Sequence, residues 1–202
     1  MATVLSIDID GGANIDTGVL PGLGVTQSLG AGIGTQNPVT QIAAGMVEQQ
    51  LVNQNGNPVA WVSNYVAVPF TLAGQIDFSI NAREDATATN ISLRAKVSKL
   101  PARIEDGFTR VGTFDYGSEL ATGTGDRTWS GTPATPVLFE RNSRILLILF
   151  YRAFGTPAAG TGTFADDEHN SMTLTEDVIF STTPILMPIR SVPVLGQPRP
   201  LF

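Results

Sequence analysis

The sequence predicts an all-β protein, an antiparallel sandwich or barrel. Three observations carry that expectation. Apolar and polar residues alternate over several short runs, and turns rich in Gly, Asp, Asn and Pro separate those runs. No segment offers ten residues of clean 3.6 periodicity, so helices that would cross over a parallel sheet are missing from the pattern.

In chain order, TVLSIDI at the amino terminus reads as a short strand. Residues 10–57 are rich in Gly, Asn, Gln and Thr, with isolated apolar residues (Leu20, Leu23, Val25, Leu29, Ile33) that never form a helical stripe. Within this region Ile42 to Leu51 is given one or two helical turns, interrupted by Gly45. VAWVS (59–63) is a strand. From Phe70 to Ile80 the set Phe70, Leu72, Ile76, Phe78 and Ile80 alternates with polar residues, a half-buried strand. After the break NAREDATATN, Ile91, Leu93, Ala95 and Val97 alternate with Ser92, Arg94, Lys96 and Ser98 to make another. Further strands are expected at 108–116, 127–132, 136–140, 144–154 and 171–181. From Pro184 onward the tail PILMPIRSVPVLGQPRPLF carries five prolines, which remove backbone donors and fix φ, so it is extended. The division is an extended Gly-rich N-terminal arm with a short first strand (1–57), a sandwich (58–183) and a Pro-rich extended C-terminal arm (184–202).

RILLILFYRAF (144–154) does not alternate. One face of such a strand sits in the core, and the other needs a second cover, either an arm of the same chain or a neighbouring subunit. The subunit reading is preferred, because structureless segments beyond ~15 residues are uncommon in compact monomers. The residues expected at that interface are Leu146, Ile148 and Phe150 on the strand, with Ile185, Leu186, Met187, Ile189, Val194 and Leu195 on the tail.

Charged residues make up 15% of the chain, and the formal net charge is -6. Ten of the twelve basic residues are Arg. An acidic, Lys-poor chain lacks the footprint of a nucleic-acid binder. There is no cysteine, which removes disulfides, thiolate metal sites and a Cys nucleophile. MATVLSIDIDGG has neither a basic start nor an apolar stretch of signal-peptide length, and no run reaches the ~18 apolar residues of a spanning helix, so a soluble, unexported protein without a membrane partner is expected.

The segments FTLAGQIDFSINAREDATATNISLRAKVSKL, GSELATGTGDRTWSGTPATPVLFERNSRILLILFYRAFGTPAAGTGT and MTLTEDVIFSTT together resemble the β-sandwich structural proteins in virion modules of tailed bacteriophages and prophages. The resemblance covers about residues 68 to 182. It implies a jelly-roll-like antiparallel sandwich and a role in the particle: capsid decoration, cement or fibre, or a head–tail accessory. It also implies a homo-oligomer, a trimer above all, that docks on the major capsid or other virion proteins after synthesis in the host cytoplasm. Receptor-binding members carry aromatic-rich loop tips, whereas only 7% of this chain is aromatic, which favours a decoration role over adhesion.

The residues that could carry chemistry read more simply as structure. His169 in FADDEHNS is the single histidine, so any Ser–His–Asp device would have to use it; a solvated loop histidine is the simpler reading. Asp8, Asp10, Asn14 and Asp16 are spaced somewhat like a calcium loop. Gly11 and Gly12 come too early, however, and no Glu closes the loop. GLGVTQSLGAGIG has no GxxxxGK[ST] pattern and fails as a phosphate loop. Glu84, Asp85, Glu105, Asp106, Asp115 and Glu119 fall mostly at turns, where carboxylates solvate loops. Trp61 and Trp129 are assigned to the core rather than to a sugar platform. Arg141 and Arg144 either pair with carboxylates across a subunit boundary or form a charged turn that blocks wrong strand pairing. No cofactor and no enzymatic activity are expected. The alternative to a decoration protein is a carbohydrate- or receptor-binding module of a tail or fibre.

Overall fold

The computed structural model describes residues 2–7, 25–28, 39–52, 59–102, 107–164 and 170–185, with the backbone alone at 25–28. The strands run β1 (Thr3–Ser6), β2 (Val25–Ser28), β3 (Val39–Ile42), β4 (Glu48–Gln50), β5 (Val59–Val62), β6 (Tyr65–Val66), β7 (Phe70–Leu72) and β8 (Ile76–Glu84). They continue as β9 (Ile91–Leu100), β10 (Thr109–Asp115), β11 (Asp126–Gly131), β12 (Val137–Phe139), β13 (Arg144–Ala153), β14 (Gly160–Phe164), β15 (Ser171–Leu174) and β16 (Phe180–Ser181). A single turn of 3-10 helix at Thr87–Thr89 joins β8 to β9. Among the described residues no helix is long and apolar enough to cross a membrane.

The protein is a β-sandwich of two six-stranded sheets. The first runs β1-β15-β8-β14-β3, with β11 on the opposite edge of β8; the second runs β10-β9-β13-β5-β2, with β4 also paired to β13. Two short ribbons, β12 with β7 and β16 with β6, stand apart. Pairing is antiparallel except between β2 and β5, which run parallel.

Alternation explains the layering. β8 buries Ile76, Phe78, Ile80 and Ala82, while Asp77, Ser79 and Asn81 lie on the other face. β9 turns Leu93, Ala95 and Val97 inward and Arg94 and Lys96 outward. Strand β13 follows the same period beneath its uniform hydropathy: Ile145, Leu147, Leu149 and Tyr151 are fully buried in the main core. Trp61 and Phe164 meet at 6.0 Å, and Phe78 stacks on Trp129 at 4.9 Å. Burying side chains of this size contributes about 1.5–3 kcal/mol each.

The structure corrects several expectations. Phe70 to Ile80 is not one strand. Glu176 Oε1 accepts hydrogen bonds from the Ala73 and Gly74 N–H groups at 2.9 and 2.6 Å, taking both out of the ladder. The chain breaks there, and β7 pairs with β12 instead. The run 171–181 divides in the same way, since β15 ends at Leu174 and β16 pairs with β6. Ile42 to Leu51 is not helical: Gly45 turns the chain at φ +70°, between β3, paired to β14, and β4, paired to β13. The expectation of an arm over 1–57 therefore does not describe 39–52. Val39–Ile42 alternates between exposed and buried residues and belongs to the first sheet, and Glu48–Gln50 belongs to the second.

Candidate functional site

Burying Ile145, Leu147, Leu149 and Tyr151 forces Leu146, Ile148, Phe150 and Arg152 onto the outer face of the second sheet. Cross-strand register sets their neighbours. Leu146 lies opposite Ser98 and Val62, Ile148 opposite Lys96, and Phe150 between Arg94 and Gln50. The three strand residues expected at an interface thus share one face. Leu146 is only 3% exposed, in a small cluster with Ala60, Val62 and Leu100 against which Ile148 packs. Ile148 and Phe150 are half-buried.

The other half of this face is charged. Arg94 holds Asp115 with both prongs of its guanidinium, Nε to Oδ1 at 2.6 Å and Nη2 to Oδ2 at 2.8 Å. Its Nη1 also reaches Glu48 at 3.2 Å. Lys96 Nζ lies 2.6 Å from Glu48 Oε2 and 4.0 Å from the centroid of the Phe150 ring. Arg152 Nε approaches Asp115 at 3.7 Å. Hydrogen bonds from Arg94 hold the Asp115 carboxyl below its ordinary pKa, and Asp115 in turn raises that of Arg94. Three cations and two carboxylates therefore border the apolar strip.

Ile185 lies at the foot of the same strand. Asn142, in the turn before β13, exchanges two hydrogen bonds with its backbone. The remaining tail residues expected at the interface, Leu186, Met187, Ile189, Val194 and Leu195, lie outside the described residues, as do His169, the Asp8–Asp16 cluster, Glu105 and Asp106.

Trp61 is fully buried in the core, and Trp129 is half-buried, packed on the core against Phe78 and Tyr116. Glu84 and Glu119, 35 positions apart, lie near each other, and among the described residues Oε1 of each is buried without a hydrogen-bond partner. Burial foremost, then the nearby Glu119 and Asp85 charges, raises the Glu84 pKa against the lowering effect of the Ile91 N–H that it accepts. Glu84 is fully buried, beyond the reach of a substrate. Sequence spacing gave no signal for this pair. Among the described residues no group of three or more His, Cys, Asp or Glu side chains is placed to hold a metal ion.

No family model and no curated protein matches the chain. Among solved structures it is similar to a selenomethionine-labelled α-amino acid ester hydrolase, with TM-score 0.54 and 11% identity over 88% of this chain and 36% of that one. It is similar also to an aminopeptidase from the marine sediment archaeon Thaumarchaeota archaeon, with TM-score 0.52 and 10% identity over 89% of this chain and 37% of that one. The chain thus spans little more than a third of these hydrolases, and the likeness is one of fold. A chain of infectious bursal disease virus (Gt strain) matches with TM-score 0.39 and 12% identity over 86% of this chain and 36% of that one, a level that does not establish a shared fold.

Proposed function

We propose that this protein is a non-enzymatic structural component of a phage virion, decorating or cementing the capsid by self-association and terminal docking. The observation that carries the docking reading is the outer face of β13: half-buried Ile148 and Phe150, next to Leu146, which Ala60, Val62 and Leu100 already cover, with the C-terminal segment tethered at the foot of the strand through Ile185 and Asn142. An apolar strip edged by Arg94, Lys96 and Arg152 has the composition of an interface centre with a polar rim. A stable contact of this kind buries on the order of 1,200–2,000 Å². The virion setting rests on the resemblance of residues 68–182 to phage sandwich proteins, and the trimer on the same ground.

Light scattering of the full chain and of a chain lacking residues 184–202 tests this reading. A trimer that becomes a folded monomer on truncation is expected, with loss of incorporation into particles. A full-length monomer, or a truncated chain that still incorporates normally, would overturn it.

A second reading, a sugar-binding module, draws on a shallow depression of about 410 Å³ on the outer face of the first sheet. Asp77, Ser79, Thr128, Ser130, Ser171 and Thr173 line it with hydroxyls and one carboxylate, and Phe78 and Trp129 also border it. Trp61 lies in the core, and half-buried Trp129 borders the depression with its ring stacked on Phe78 at 4.9 Å. A glycan array decides between the two readings.

A further inference from the structure

Arg144 differs from the other basic residues of the second sheet. Arg94, Lys96, Lys99 and Arg152 each meet a carboxylate. The Arg144 guanidinium meets none among the described residues, although the residue is only 6% exposed. Its Nε donates to the Ser63 carbonyl at 2.8 Å, and its Cζ lies 4.8 Å from the centre of the Tyr65 ring. Neither contact uses the outer edge of the fork, where two Nη atoms present parallel donors suited to a planar anion. A buried, unpaired charge is costly, and proteins ordinarily give it a counter-ion.

That residue forms part of the wall of a cavity of about 180 Å³, shared with Asn142, Tyr65, Leu100, Pro101 and Phe108. The walls are mostly apolar. Phe108 stands 58% exposed at the side, and Asn142 is occupied by Ile185. The volume equals about six waters at roughly 30 Å³ each, enough for one ring or a short acyl chain bearing a single polar head.

From this geometry we infer that the cavity binds a carboxylate carried on an apolar or aromatic stem. Arg144 takes the carboxylate through its free edge, and Tyr65, Leu100, Pro101 and Phe108 enclose the stem. A free organic acid and the terminal residue of a peptide both supply this chemistry. The site is independent of the docking reading, since it needs neither self-association nor a virion.

The test titrates the folded wild-type chain with 3-phenylpropionate, N-acetylphenylalanine and the amide of each, followed by calorimetry or NMR. Each acid is expected to bind at least tenfold more tightly than its amide. Stronger binding by 3-phenylpropionate points to a free acid as the source, and stronger binding by N-acetylphenylalanine to a chain end. Phe108→Ala removes a largely exposed ring, so it is expected to weaken binding about fivefold with an unchanged Tm. Arg144→Lys keeps the charge without the fork and is expected to lose most of the affinity. Equal binding of acid and amide, or binding untouched by Phe108→Ala, overturns the inference. So does a wild-type chain that binds neither acid. Glu105 and Asp106 are the rivals from the chain itself; binding that appears only in the Glu105→Gln/Asp106→Asn variant would assign Arg144 to a carboxylate of its own chain and also overturn it.

Discussion

Asn142 and Ile185 grip each other reciprocally: the Ile185 N–H donates to Asn142 Oδ1 at 2.7 Å, and Asn142 Nδ2 donates to the Ile185 carbonyl at 2.8 Å. The pair reproduces a strand-like backbone exchange with one side chain in place of a strand. Asn142 itself adopts φ +67°, a left-handed conformation that Asn tolerates and Gly accepts freely. Asn142→Gly therefore deletes the clamp without straining the turn. Limited proteolysis is expected to cut after residue 185 faster in this variant, while Tm changes by no more than a degree or two.

The docking face gives a second prediction. Ile148 is half-buried on the outer surface, opposite Lys96 and remote from the main core. Ile148→Asp is expected to abolish self-association measured by light scattering while the circular dichroism spectrum keeps its β signature. Intact oligomers in this variant would remove β13 from the contact.

Tyr151 supplies a third. Its ring is fully buried, its hydroxyl has no partner among the described residues, and burial pushes the phenol pKa far above its ordinary value. Tyr151→Phe removes an unsatisfied buried group and is expected to gain about 1 kcal/mol, or roughly 2–4 °C in Tm. The opposite outcome is expected across the same contact. A Cβ at Gly162 would come within 2.6 Å of the Tyr151 ring, so Gly162→Ala overpacks the core and costs roughly 1–3 kcal/mol.

Buried Glu84, beside the half-buried Glu119, sets a pH dependence. Because the folded-state pKa of Glu84 is raised, the stability it permits is present at acid pH and is lost as pH climbs through the raised value. Asp85, lowered chiefly by the Thr161 backbone, and Asp115, lowered by Arg94, act in the opposite sense and lose their contribution as pH falls. Glu84→Gln keeps an acceptor for the Ile91 N–H and adds donors toward Glu119. It is expected to stabilise the protein at pH 7 by on the order of 1 kcal/mol and to flatten the decline of Tm as pH rises above the ordinary carboxylate range. A parallel Tm-versus-pH curve for wild type and variant would discard the raised Glu84 pKa as its source.

The central strands were legible because their burial is one-sided. The alternation in Ile76–Glu84 and Ile91–Leu100 reads directly as an inner and an outer face. β13 was legible as a strand although its outer positions are as apolar as its inner ones. Strands β3, β4 and β14 went unread, being three to five residues long and rich in Gly, Thr and Gln, with their pairing fixed by partners far away in the chain. The break at Gly74 depends on Glu176, a residue 102 positions distant. The face shared by Leu146, Ile148 and Phe150 followed from period two alone. Neither the isolation of Arg144 nor the approach of Glu84 to Glu119 could be read there, since each is defined by which side chains tertiary packing brings near.

Strand β1 pairs with β15 across almost the whole sequence, Thr3 against Leu174 and Ser6 against Ser171. A ribosome adding roughly 5–20 residues per second needs on the order of ten seconds or more to travel from one partner to the other. Throughout that interval the first sheet of a nascent chain lacks this edge, and β1 waits for β15 to be made. Translational pausing before residue 171, or a stop codon there, leaves Leu5 with no strand to complete, so quality control during synthesis bears on this protein more heavily than on one whose neighbours in space are neighbours in sequence.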